Sequence, residues 1–165
     1  MTISKTTFAG LEAMHRELED AFLCHQEALL SGELAEARRR LERFRERLER
    51  HAQIEDETLI PIYDRREREK SGLSKIFTFE HGRLLGMLVA MFESLDILIA
   101  NPGGTPGQNH ARGLIALFDA GAEFKALTQH HHDREENVLF PTLDREVEAD
   151  ERTRLLGEIW SLWER

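Results

Sequence analysis

The sequence predicts an all-α protein, an up-down-up-down antiparallel four-helix bundle with a short C-terminal fifth helix. Three observations predict it. The chain is rich in Glu, Leu, Arg and Ala, has a single tyrosine and shows few β-branched runs, which favours helix over strand. Four long segments carry apolar residues at spacings that alternate between four and three, the seam of a packed bundle helix. The breaks between the first and second and between the second and third are short, so consecutive helices should run antiparallel.

The first helix is expected from about Thr7 to Leu30, with the stripe Leu11, His15, Leu18, Phe22, His25 and Leu29. Ser31-Gly32 is a stop and restart signal. The second begins near Glu33 and carries Leu34, Ala37, Leu41, Phe44, Leu48, His51, Glu55, Thr58 and Ile62. Pro61 is expected to kink or interrupt it. The third follows Ser71-Gly72, with Ser74 as the expected N-cap and the stripe Phe77, His81, Leu84, Leu88, Met91, Leu95 and Leu98. It ends at the loop Asn101-Pro102-Gly103-Gly104-Thr105-Pro106-Gly107. The fourth carries Leu114, Leu117, Gly121, Phe124, Thr128, His131, Glu135, Val138 and Thr142, with Pro141 near its end. A fifth, capped by Asp150, carries Leu155, Leu156, Ile159, Trp160 and Trp163 and should cover the bundle or present a partner surface. The whole of 1–165 reads as one domain, with the bundle over about 7–145 and the last helix over about 150–164.

Composition narrows the function. With 165 residues, 41% apolar and 32% charged, the chain is globular and long enough to bury a core. No apolar run reaches the ~18 residues of a membrane span, and the N-terminus lacks the pattern of a secretory signal. The single cysteine, Cys24, cannot form an internal disulfide and reads as a small core residue, and the balance favours the cytoplasm. Net charge is −9, and the arginines of 38–50 alternate with Glu36, Glu42, Glu46 and Glu49. That is an ion-paired solvated face rather than a nucleic-acid surface.

Against this background the seams contain a contradiction. Histidines and glutamates occupy positions that otherwise hold Leu, Phe or Met, and a buried carboxylate is costly unless paired or metal-bound. Helix rise places the four histidines together. His15 sits about 12 Å up the first helix, His51 about 27 Å down a second helix in a bundle about 36 Å tall, and His81 about 10 Å up the third. His131 lies toward the same end of the fourth. Glu55 and Glu135 follow one turn later on the same faces. Four imidazoles and two carboxylates in one layer suit iron, manganese or zinc. Six protein ligands exceed one tetrahedral zinc and suit two ions, each with two histidines and both carboxylates bridging.

A repeat supports that site. His51-Ala-Gln-Ile-Glu55-Asp56-Glu57-Thr58-Leu59-Ile60-Pro61 aligns without gaps on His131-His132-Asp133-Arg134-Glu135-Glu136-Asn137-Val138-Leu139-Phe140-Pro141. Met14-His15-Arg16-Glu17-Leu18 parallels Glu80-His81-Gly82-Arg83-Leu84. Over about residues 8–145 these elements resemble the hemerythrin-like (HHE cation-binding) family. The resemblance implies a di-iron centre with an oxo or hydroxo bridge held by His15, His51, Glu55, His81, His131 and Glu135. Oxygen-carrying members place two histidines one turn apart on the third helix; here Phe77 and Leu85 flank His81. The set of four histidines and two glutamates is closer to the di-iron domain of iron–sulfur-cluster repair proteins, whose cysteine-bearing N-terminal domain is not found in this sequence.

Other polar residues weigh less. His132 rivals His131, but the repeat and the Thr128/Glu135 stripe favour His131. His25 lies ten residues from His15, about 15 Å away, and is a core or end-capping residue. His110 belongs to a loop or helix start. Glu80 is left open between a solvated glutamate, a supporting partner and an extra ligand. Asp56, Glu57 and Glu136 read as surface or supporting acids. The function expected is a non-haem di-iron protein that binds or reacts with oxygen, nitric oxide or peroxide in sensing, scavenging or iron and redox homeostasis. Whether it is an enzyme is open. The alternative is a non-enzymatic iron-responsive module acting through a partner protein, with Trp160 and Trp163 exposed as its contacts. As to partners, a protein partner or a homodimer is left open, and neither nucleic acid nor membrane is expected.

Overall fold

The computed structural model describes residues 6–66, 72–101 and 108–165, and among them every regular element is helical. Most of the loop expected at 101–107 lies outside the described residues. Five helices result. A 3₁₀ turn, Phe8–Leu11, leads into α1, Glu12–Leu30. Helix α2 covers 34–66, α3 is Leu73–Ala100, α4 covers 108–146 and α5 is Ala149–Trp163. Helix α1 packs along α2, α2 along α3, and α3 along α4, while α4 also touches α1. The last helix lies on α2, and the 3₁₀ turn sits on the end of α4.

The stripes bury as expected along α1 and α3 and through most of α2 and α4. Five aromatic rings, Phe8, Phe44, Phe77, Phe124 and Phe140, are among the largest fully buried side chains. Ser31-Gly32 ends α1 as the sequence suggests. Gly32 adopts φ +73°, its N–H reaches Leu29 O, and Glu33 N–H reaches Ala28 O. Those two bonds form a Schellman motif, and the left-handed φ is what calls for glycine. At the other end of α1, Asp144 of α4 accepts from Phe8 N–H (2.8 Å) and Ala9 N–H (3.0 Å) and caps the 3₁₀ turn.

Several expectations are corrected. Ser74 is not the cap of α3. Gly72, at φ +76°, holds that place, and Ser74 donates its hydroxyl to Asp64. Glu148, not Asp150, occupies the N-cap of α5. Cys24 is exposed rather than core. Trp160 and Trp163 are buried: Trp163 donates its indole N–H to Glu17 (3.2 Å) and lies under the Arg47 guanidinium. The basic residues of α2 are paired as expected, Arg38 with Asp96 and Arg47 with Glu17 among them.

The local interruption expected at Pro61 is present, and Pro141 has its counterpart. Each is preceded by one π-helical turn, Glu55–Leu59 in α2 and Glu135–Leu139 in α4. A proline removes the N–H that would bond four residues back, and a wider turn absorbs the gap. The turn takes in an extra residue, so the seam beyond it advances by one. Leu59 is buried where Thr58 was expected, and Tyr63 is buried beside the expected Ile62. Leu139 and Leu143 replace Val138 and Thr142.

Candidate metal centre

Both π-turns begin on a glutamate of the His-x-x-x-Glu repeat, which is where such turns often mark a site. The structure brings all six expected residues together. His15, His51, Glu55, His81, His131 and Glu135 are each at most 3% exposed. Glu135 stands at the middle. Its oxygens lie 2.7 Å from His131 Nε2, 3.1 Å from His15 Nε2, and 4.0 Å from Nε2 of both His51 and His81. Glu55 lies 3.2 Å from His81 Nε2 and 3.6 Å from His51 Nε2.

His132 joins them. Its ring stacks on His15 with centroids 3.8 Å apart and planes 6° from parallel. Ligand-type atoms fall into two overlapping groups, each within 4.8 Å: His51, Glu55, His81, His131 and Glu135 in one, and His15, His51, His132 and Glu135 in the other. His131 and His132 are therefore not rivals. Thr128 already contained the signal, since an apolar face follows both i+3 and i+4, and those positions are 131 and 132.

The outer nitrogens of the ring are held by acids. His15 Nδ1 donates to Glu136 (2.7 Å), His81 Nδ1 to Asp56 (3.0 Å) and His131 Nδ1 to Glu80 (3.1 Å). Arg134 in turn donates to both oxygens of Glu80, and Thr78 to Asp56. Carboxylates in this position fix the tautomer and leave Nε2 free as a donor to a metal. The sequence left Asp56 and Glu136 as surface or supporting groups and Glu80 also as a candidate extra ligand; all three lie behind a histidine, in the supporting place.

The inner atoms fit a cation. Nε2 of His15, His51 and His131, both nitrogens of His132 and both oxygens of Glu135 are buried without a hydrogen-bond partner. Several approach one another at hydrogen-bond distances, yet the angles are wrong for such bonds. An unpartnered buried polar atom costs about 1–3 kcal/mol, so so many in one place need a common partner. Electrostatics agree. Burial holds His51 and His131 down to about 4, and holds His132 well below its usual range, so these imidazoles are neutral and able to coordinate. Burial and then the Glu55 charge push Glu135 well above the usual carboxylate range. Burial also acts to raise Glu55, but His51 and His81 outweigh it and hold that carboxyl low. Two carboxyls in one dry layer cannot both ionise without a cation.

His25 is buried and donates from Nδ1 to Ala37 O (2.8 Å), a satisfied core histidine, which is the first of the two readings the sequence offered. His110 lies at the start of α4, half-buried.

A site of this kind on an all-helical scaffold is that of a cation-binding helical protein. The model of the hemerythrin HHE cation-binding domain matches residues 6–120, and the chain belongs to that family. The matched span includes His15, His51, Glu55 and His81; the second repeat, His131 to Pro141, lies beyond it. No curated protein and no solved structure matched the chain.

Proposed function

We propose that this chain is a di-iron hemerythrin-like protein whose centre binds or reacts with a small ligand such as oxygen, nitric oxide or peroxide. His15, His51, Glu55, His81, His131 and Glu135 would hold the ions, with His132 as a fifth imidazole. The observation that carries this reading is the pair of overlapping donor groups sharing His51 and Glu135. Two groups with common members suit two neighbouring ions better than one. The mixture of imidazole and carboxylate suits iron, with manganese and zinc as the competing metals. Iron held there would supply a redox-active, electrophilic centre with room for a small molecule.

The chain's own residues set the conditions. Glu136, Asp56 and Glu80 orient three of the imidazoles, and the layer is closed to bulk water. A cavity of about 270 Å³ between α1 and α4 adjoins the layer, walled by Leu18, Phe22, Phe44, Leu48 and Phe124. Glu19, Lys125 and Gln129 stand at its exposed side, and Leu18 and Leu48 lie one turn from His15 and His51, so a small molecule entering there would approach the layer along apolar walls. Up-down-up-down order in one domain is part of the same reading, supported by the tight turn at Gly32 and the neighbour contacts of α1 to α4. So is a reducing cytoplasmic setting, supported by the exposed lone cysteine. No described helix is long and apolar enough to cross a membrane. The alternative of a partner-docking module loses the residues it rested on, because Trp160 and Trp163 are packed into the bundle.

Metal analysis of untagged protein purified without chelator tests the reading. About two irons per chain are expected, with loss in His51→Ala and His131→Ala but not in His25→Ala. A ferrous sample prepared without oxygen should change its absorption on exposure to oxygen, nitric oxide or peroxide. Iron-free protein, or a ferrous sample inert to all three, would remove the basis for it.

A further inference from the structure

Helix α3 is apolar on nearly every side. Its inner face carries Phe77, His81, Leu84, Leu88, Met91 and Leu95 into the bundle. Directly opposite, Phe79, Val89 and Ile97 stand in the open at 68%, 53% and 64% exposure. Phe79 to Ile97 spans about 27 Å of helix. A helix that is apolar all round belongs inside an assembly rather than on a surface.

The charges on this outer face say what would cover it. They are Lys75 near one end, and Arg83 and Glu93 flanking the middle. Among the described residues neither Arg83 nor Glu93 makes an ion pair within the chain, although nearby Asp96 is held by Arg38. Two antiparallel copies of α3 related by a twofold axis at Leu88 would set Arg83 of each opposite Glu93 of the other. That one register also sets Phe79 opposite Ile97, and Gly86 opposite Ala90. Lys75 falls opposite Asn101, so no like charges meet. One register satisfies the charges and the large apolar side chains together, which a face made for an unrelated partner has no reason to do.

We infer that the chain forms a twofold dimer through the outer face of α3, with Arg83 paired to Glu93 of the second copy. A single helix pair is a small interface, so the dimer is reversible, with dissociation in the micromolar range. The surface is the one opposite His81, and the inference does not depend on which metal, if any, the centre holds.

Sedimentation equilibrium of the full chain, with and without iron, tests it from about 1 to about 300 µM. Dimer should build up across that range. Gly86→Arg should abolish it without lowering helix content or the unfolding temperature, since a side chain at Gly86 meets nothing within 4 Å in the monomer and arginine favours helix more than glycine does. Arg83→Glu and Glu93→Arg should each weaken the dimer roughly tenfold, because two like-charge pairs replace two ion pairs. The double swap R83E/E93R should restore it. A wild type that stays monomeric throughout, or a dimer indifferent to Gly86→Arg, would overturn the interface. Single swaps that weaken the dimer with no recovery in the double would overturn the register.

Discussion

Glu135→Gln should stabilise the metal-free protein and destroy the metal-loaded one. Glu135 is fully buried at the centre of the layer, with the Glu55 carboxyl as its acidic neighbour. Burial and the Glu55 charge push its carboxyl well above the usual range in the folded chain, whereas in the unfolded chain it titrates near 4.5. A carboxyl whose folded value is raised contributes stability below the unfolded value and loses it as pH rises. In the limit where the folded carboxyl stays protonated at pH 7, the cost across 7 − 4.5 = 2.5 pH units is about 3 kcal/mol, which bounds the effect from above. Glutamine has the same shape and no proton to gain, so chelator-treated E135Q should unfold at higher urea by up to that amount. The gain should shrink to under about half a kcal/mol at pH 4.5, where the unfolded carboxyl is itself half-protonated. With cation present the order should reverse, because wild type gains binding energy and E135Q cannot. Urea titrations at pH 7 and 4.5, each with chelator and with ferrous iron, measure all four cases. If metal-free E135Q is no more stable than wild type at pH 7, or if it retains two ions, the account of this site is wrong.

Two further outcomes follow from the geometry. Asp56→Asn and Glu136→Gln should each weaken cation affinity about 10- to 100-fold, read from competition with a chromogenic chelator, because they free His81 and His15 to rotate without removing a ligand. Trp163→Ala should cost about 3–5 kcal/mol of unfolding free energy in denaturant melts, the usual loss for a buried aromatic, and leave the metal content unchanged.

The fold was readable because the stripes repeat one simple period. Leu11 to Leu29 and Phe77 to Leu98 each keep one face over several turns, and polar interruptions at His15 and His81 then stand out as site residues. Legibility failed where the period changed. The π-turns at Glu55 and Glu135 each take in one extra residue, so the seam moved from Thr58 to Leu59 and from Val138 to Leu139. A stripe written at constant spacing cannot contain that step, although the prolines at 61 and 141 announced some interruption. The burial of Trp160 and Trp163 was hidden for another reason. An amphipathic helix shows its apolar face in sequence but not which surface meets it, and here that surface is α2.

The acids behind the histidines show how the repeat works across space. In each half the residue after the shared glutamate reaches to the other half's single seam histidine: Asp56 of α2 to His81 of α3, and Glu136 of α4 to His15 of α1. Neither acid supports a histidine of its own repeat, which is why reading each repeat alone leaves both as surface groups. The cross-pairing ties the two halves together and preserves a pseudo-twofold about the layer. Helix α4 then breaks that symmetry. It adds His132 against His15, while Ala52 fills the matching place after His51. It also adds Arg134, clamped to Glu80 behind His131, where the first repeat has the apolar Ile54. One donor group therefore holds two carboxyls and three imidazoles, and the other a single carboxyl and three imidazoles. The repeated sequence thus gives two donor groups that are chemically unlike, and on the proposed reading of two ions that unlikeness would let one position hold its ion while the other meets a ligand.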